Sequence, residues 1–94
     1  MRVLGRDKLD AFIRKHANSK SALGSWLAEA EEATWETPDQ VRDRYPRASI
    51  LPNNKVVFRL KGNDYRLVVT ARYQRGILKV EWVGTHAEYD KQTF

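Results

Sequence analysis

Apolar residues near the start of the chain recur at helical spacing. Leu9, Phe12, Ile13 and His16 fall at i, i+3, i+4 and i+7, which is one face of a helix. Asn18-Ser19 interrupts the pattern and offers a fresh N-cap. Leu23, Trp26, Leu27, Ala30 and Ala33 then form a second apolar stripe, with Glu29, Glu31 and Glu32 pointing away from it. The two segments predict an antiparallel helical hairpin, preceded by a short strand over Met1 to Leu4. Thr37-Pro38-Asp39-Gln40 predicts a third helix, with Thr37 as cap, Pro38 at the first helical position and Gln40 completing a capping box. Pro46 disfavours helical geometry at Tyr45, so this helix is short, and Val41 and Tyr45 dock it.

From Arg47 onward the period changes to two. Val56, Phe58 and Leu60 alternate with Val57, Arg59 and Lys61. After a tight turn at Gly62-Asn63, both tolerant of positive φ, Tyr65, Leu67, Val69, Ala71 and Tyr73 alternate with Arg66, Val68, Thr70 and Arg72. A second turn at Gln74-Arg75-Gly76 leads to Leu78, Val80 and Trp82, alternating with Ile77, Lys79, Glu81 and Val83. The pattern is an antiparallel meander. With Gly62 and Asn63 as the central turn residues, Leu60 lies opposite Tyr65, Arg59 opposite Arg66 and Phe58 opposite Leu67. The second loop places Arg72 opposite Ile77 and Leu67 opposite Trp82.

That register sorts the strands into two faces. Val56, Phe58, Leu60, Tyr65, Leu67, Val69, Ala71, Leu78, Val80 and Trp82 share one, which the helices must bury because nothing else can cover it. Val57, Arg59, Arg66, Val68, Thr70, Arg72, Lys79 and Glu81 share the other, a mixed basic surface open to solvent or a partner. The fold class is α+β: a helical hairpin plus a short third helix on one face of a small antiparallel sheet, in one domain spanning residues 1–94. Arg59 directly opposite Arg66 is a like-charge pair, mildly destabilising unless an anion or Glu81 neutralises it. Both a phosphate-binding role and two cations splayed into water fit this pair. Trp26 and Trp82 read as core, Trp35 is unplaced, and His16, on the apolar stripe of its helix, reads as a boundary or core residue.

Composition narrows the chemistry. The 94 residues contain no cysteine, which excludes a disulfide scaffold, a thiolate nucleophile and any thiolate metal site, and two histidines make a multi-His metal site a poor fit. No apolar run approaches the roughly 20 residues that span a bilayer, and the opening MRVLGRDKLD lacks a signal core, so a soluble cytoplasmic chain without membrane contact is expected. Residues 1–41 carry 6 basic and 7 acidic groups, whereas residues 42–94 carry 11 basic and 5 acidic groups. All the excess positive charge therefore lies in the strand-rich half, which suits an anionic partner, nucleic acid above all.

Past the last strand, Gly84-Thr85-His86-Ala87-Glu88-Tyr89-Asp90 places an imidazole, a phenol and two carboxylates within seven residues. An imidazole exchanges protons near neutral pH. If the segment begins a helical turn, His86 and Tyr89 share a face and Asp90 can orient the ring. A purely structural reading has Thr85 as N-cap and Glu88 closing a capping box, with His86 merely exposed.

The run Leu60-Lys61-Gly62-Asn63-Asp64-Tyr65-Arg66-Leu67-Val68-Val69, together with Trp82-Val83-Gly84-Thr85-His86-Ala87-Glu88-Tyr89-Asp90-Lys91, resembles the HigB-type toxins of bacterial type II toxin–antitoxin systems, within the RelE-like superfamily. The tail after Lys91 is short for that family. The resemblance implies a helical pair on an antiparallel sheet, and an mRNA interferase acting on translated mRNA at the ribosome. It also implies restraint by a HigA-type helix-turn-helix antitoxin. The positions it marks are Asn63, Arg66, His86, Tyr89 and Asp90, with Lys61 and Arg72 nearby. On that basis RNA cleavage by internal transesterification is expected, without metal or other cofactor. His86 would take one proton-transfer role and Arg66 would stabilise the phosphorane. Tyr89 would orient a base or assist proton transfer beside Asp90. Arg59, Lys61, Asn63, Arg72 and Lys79 would hold RNA. Two other readings compete: a non-catalytic RNA-binding module, and a RelE-fold toxin with a protein target such as gyrase.

Overall fold

A five-stranded sheet organises the chain, in a computed structural model that describes all 94 residues. In chain order the elements are β1 (Arg2–Leu4), α1 (Arg6–Lys15), α2 (Lys20–Glu32), α3 (Pro38–Arg44), β2 (Ser49–Leu51), β3 (Lys55–Leu60), β4 (Tyr65–Arg72), β5 (Ile77–Thr85) and α4 (His86–Tyr89). The spatial order is β1-β5-β4-β3-β2, with β1 parallel to β5 and every other pairing antiparallel. The architecture is thus the expected α+β arrangement, with one parallel edge strand added to the meander. None of its helices is long and apolar enough to cross a membrane.

The helices bury one face of the sheet. Leu9 and Phe12 of α1, Leu23, Trp26 and Ala30 of α2, and Val41 of α3 join Val56, Phe58, Leu60, Tyr65, Leu67, Val69, Ala71, Leu78 and Val80 in one core cluster. Trp35 enters this core beside Tyr45 and Phe58, with ring centroids 6.2 and 6.4 Å away. The Thr37 hydroxyl accepts from the Gln40 amide as a cap should, but the Gln40 side chain reaches back to the Glu36 amide instead of closing the box on Thr37. Ser19 does not cap α2 with its side chain; a short 3₁₀ turn over Ala17–Ser19 intervenes, and its hydroxyl donates to the His16 carbonyl.

The first hairpin has the predicted register, with Leu60 opposite Tyr65, Arg59 opposite Arg66 and Phe58 opposite Leu67. Its turn differs in one respect: Lys61 and Gly62, rather than Gly62 and Asn63, take positive φ. The second hairpin pairs Arg72 with Ile77 as expected, then slips. A β-bulge leaves Glu81 unpaired, so Val68 faces Trp82 and Leu67 faces Val83. One extra residue reverses every side chain beyond it. Trp82 therefore leaves the core face, and Val83 packs against the core instead.

The opposite face is less open than the alternation suggested. Val57, Val68, Thr70 and Arg66 are buried there, while Arg59, Arg72 and Lys79 remain exposed. Trp82, delivered to this face by the bulge, lies directly opposite Val68.

Candidate functional site

The Lys61–Asp64 turn, the start of β4 and α4 meet at one end of the sheet. The amide of His86 donates to the Asp64 carbonyl (2.9 Å), which ties the first residue of α4 to the β3–β4 turn. Thr85 caps α4, and its hydroxyl accepts from the Glu88 amide (3.1 Å). The Glu88 carboxylate accepts from the Thr85 amide (2.8 Å). The capping box expected on structural grounds is present, and it sets the orientation from which His86 projects.

Arg66 is the centre of this site and is only 3% exposed. One terminal nitrogen donates to the carbonyls of Asn63 (2.9 Å) and Tyr65 (3.3 Å). The other donates to Asn63 Oδ1 (2.8 Å) and lies 2.5 Å from His86 Nδ1. A guanidinium only donates, so Nδ1 accepts and the ring proton resides on Nε2. Nε2 in turn lies 3.4 Å from Asp90 Oδ2, four residues along the chain. The result is a continuous chain of contacts, Asn63–Arg66–His86–Asp90. Its inner end is buried and its outer end is open, with the side chains of His86 and Asp90 47% and 61% exposed.

Burial pushes the Arg66 pKa below its ordinary value; Arg59 and Arg47 push the same way, and Asp90 and Tyr89 oppose them. Glu81 does not relieve the Arg59–Arg66 pair, because its carboxylate accepts from Thr70 (2.7 Å) and pairs with Lys79 (3.7 Å). The charge of Asp90 opposes that of Arg59 instead, and the guanidinium's donors are taken up by the oxygens of Asn63 and the lone pair of His86. Asn63 thus spends both its side-chain oxygen and its carbonyl on Arg66, and the positive φ at Lys61 and Gly62 is the turn geometry that accompanies this. A non-glycine residue in that region is uncommon and is held only by its surroundings.

The remaining sequence-marked residues divide. Arg59 stands opposite Arg66, and exposed Lys61 opens the turn. The Tyr89 ring packs with Trp82 and Phe94, at centroid distances of 6.2 and 5.8 Å. Arg72 and Lys79 do not join the cluster. Six residues along β4 separate Arg66 from Arg72, about 20 Å at strand rise. Arg72 and Lys79 instead line an open groove with Lys55, Arg75, Thr70 and Glu81. Arg47, whose charge reaches Arg66, carries no local motif that marks it in the sequence.

Residues 19–92 match the family profile described as HigB toxin, the RelE-like toxic component of a toxin–antitoxin system. Across 95 aligned residues, covering 99% of this chain and 92% of its relative, the sequence is 26% identical to the mRNA interferase HigB of Escherichia coli O6:H1.

Proposed function

The chain belongs to the HigB family of RelE-like toxins, and from that premise we propose that it is an mRNA interferase, an endoribonuclease that cuts mRNA at the Arg66–His86–Asp90 cluster. The single observation that carries the reading is the 2.5 Å contact between the buried guanidinium and His86 Nδ1, next to an exposed carboxylate.

Metal-independent transesterification has four bond events. The O2′–P bond forms and the P–O5′ bond breaks; the 2′-hydroxyl loses a proton and O5′ gains one, leaving a 2′,3′-cyclic phosphate and a 5′-hydroxyl. In the resting site Arg66 occupies His86 Nδ1. When the ring takes up a proton, Nδ1–H faces a guanidinium N–H, and two donors cannot share a hydrogen bond. The guanidinium edge is released toward the phosphoryl oxygens, where a planar fork meets two at once. The imidazolium is then the acid for O5′, and the Asp90 carboxylate receives the 2′-hydroxyl proton. Proton uptake by His86 and phosphate capture by Arg66 are one linked event. Arg59 and Lys61 add positive potential at the same end, and Arg72 and Lys79 hold the RNA backbone farther along the face. Translated mRNA on the ribosome is the setting that the family resemblance implies. Neutralisation by a HigA-type helix-turn-helix antitoxin follows from the same source; the test is whether a short open reading frame of that type lies beside this one.

The test uses the purified chain on mRNA, with and without ribosomes, and reads cleavage sites and product termini. His86→Ala and Arg66→Ala are each expected to lower cleavage by about 100-fold or more. A folded double variant with undiminished cleavage overturns the site. Salt-sensitive binding of RNA that stays intact overturns the nuclease reading in favour of a binding module.

A further inference from the structure

The family resemblance gives Tyr89 a part in orienting a base, but leaves the two aromatic side chains packed on it, Trp82 and Phe94, without a role. Trp82 reaches it through the bulge at Glu81. Its indole lies over the backbone of Gly84: a Cβ there would collide with Cη2 and stand 2.5 Å from Cζ2, so a side chain at 84 would evict the ring. Gly84 is the cross-strand partner of Arg66. The indole therefore covers the cross-strand neighbour of Arg66. Tyr89, three residues after His86, tilts toward it at 49°.

A third ring rests on these two. Phe94 lies nearly parallel to Tyr89 (14°, 5.8 Å between centroids) and 5.6 Å from Trp82. It is 38% exposed, and the last backbone hydrogen bonds along the tail come from the amides of Lys91 and Gln92. Phe94 is thus a flat ring stacked on Tyr89 and held by ring contacts beyond the last tethered amide. A nucleobase is also a flat ring, and base stacking on aromatic side chains accepts every base because each has a π face.

We propose that Trp82 and Tyr89 form a nucleobase-stacking subsite flanking the scissile phosphodiester, and that Phe94 is its resting occupant, displaced when RNA binds. The proposal rests on the RNA-cleaving reading and deepens it. Stacking one base at this shelf turns the nucleotide out of the strand's own stack, which leaves its phosphate beside Arg66. The competing interpretation is a small apolar cluster that only pins the tail. In that case removing the Phe94 ring loosens the tail and cannot tighten RNA binding.

The experiment uses the full chain and a 2′-O-methyl RNA oligonucleotide, whose blocked nucleophile prevents cleavage. A series carries one abasic position at a time. Trp26 and Trp35 are buried, so quenching of fluorescence by the oligonucleotide reports Trp82. Phe94→Ala is expected to bind about 2- to 10-fold tighter, the worth of one aromatic pair removed from competition. One abasic position, and Tyr89→Leu, are each expected to weaken binding by about 5- to 150-fold. Unchanged or weaker binding by Phe94→Ala, or an abasic series in which no position costs more than about twofold, overturns the shelf. The two readings fail separately: a chain that stacks the oligonucleotide yet leaves unmodified RNA uncut loses the nuclease reading alone, and one that cuts RNA but ignores base loss loses the shelf alone.

Discussion

Arg66 has four hydrogen-bond contacts inside the protein, with the Asn63 carbonyl, Asn63 Oδ1, the Tyr65 carbonyl and His86 Nδ1. A lysine keeps the charge but not the fork, and one ammonium cannot serve both the turn and the imidazole. Arg66→Lys is therefore expected to fold and to lose cleavage by about 100-fold, checked by circular dichroism beside a cleavage assay. Both oxygens of Asn63 accept from Arg66, so on the proposed reading Asn63 positions the guanidinium. Asn63→Ala is expected to lower kcat by about 10-fold, as loss of an orienting partner does, and to leave KM nearly unchanged. A rise in KM at constant kcat would return Asn63 to the RNA-binding role that its motif suggested.

Among the elements, α4 is the most exposed to failure. It has four residues, and its capping box satisfies two orphan amides that so short a helix could not otherwise pair. Thr85→Ala is expected to cost about 1 kcal/mol. The cost falls on the segment that carries His86, so cleavage should drop more than the melting temperature does. Carboxylates set the acid limit. The backbone amide of Thr85 holds the Glu88 carboxyl below its ordinary value of 4.5, and the Tyr45 hydroxyl chiefly does the same for Glu29, with Arg44 assisting. A folded pKa below the unfolded one gives stability that is complete above the unfolded value and fades as pH falls through the folded value. Tyr45 is shifted upward, mainly by burial and then by its bond to Glu29, so its contribution holds below an ordinary pKa of 10.0 and fades as the solution turns more alkaline. The latch between α2 and α3 thus weakens at both extremes. Glu29→Gln should flatten the acid limb of a stability–pH curve, and Tyr45→Phe the alkaline limb.

Across the whole molecule, charge is segregated along one sheet face. The buried Arg66 cluster marks one end; Lys55, Arg72, Arg75 and Lys79 mark the other, about 20 Å away at strand rise. Chemistry and grip are accordingly separable. Arg72→Ala and Lys79→Ala are expected to raise KM and leave kcat almost unchanged. Each should also reduce the slope of log affinity against log salt by about 0.7 per phosphate of single-stranded RNA that is no longer neutralised. His86→Ala should lower kcat with the salt slope intact. Equal effects from both ends would mean that the groove and the Arg66 cluster act as one site.

Alternation, with the turn set at Gly62-Asn63, placed Arg59 opposite Arg66 and the apolar strand residues on one face, and helical spacing placed Leu9, Phe12, Leu23 and Trp26 toward them. Those features were legible because the periods of strand and helix are local properties of the chain. The bulge was not: Trp82 and Val83 are both apolar, so either can face the core, and packing against the helices chose Val83. Nor could spacing join residues 63 and 66 to residues 86 and 90, because the link is a backbone hydrogen bond from His86 to Asp64, across the end of a finished sheet. The sequence by itself determined the faces as far as the bulge, the capping box at Thr85 and the types of reactive group. The tertiary structure alone decided that a guanidinium would be buried against an imidazole, because that contact needs two distant segments held in one register.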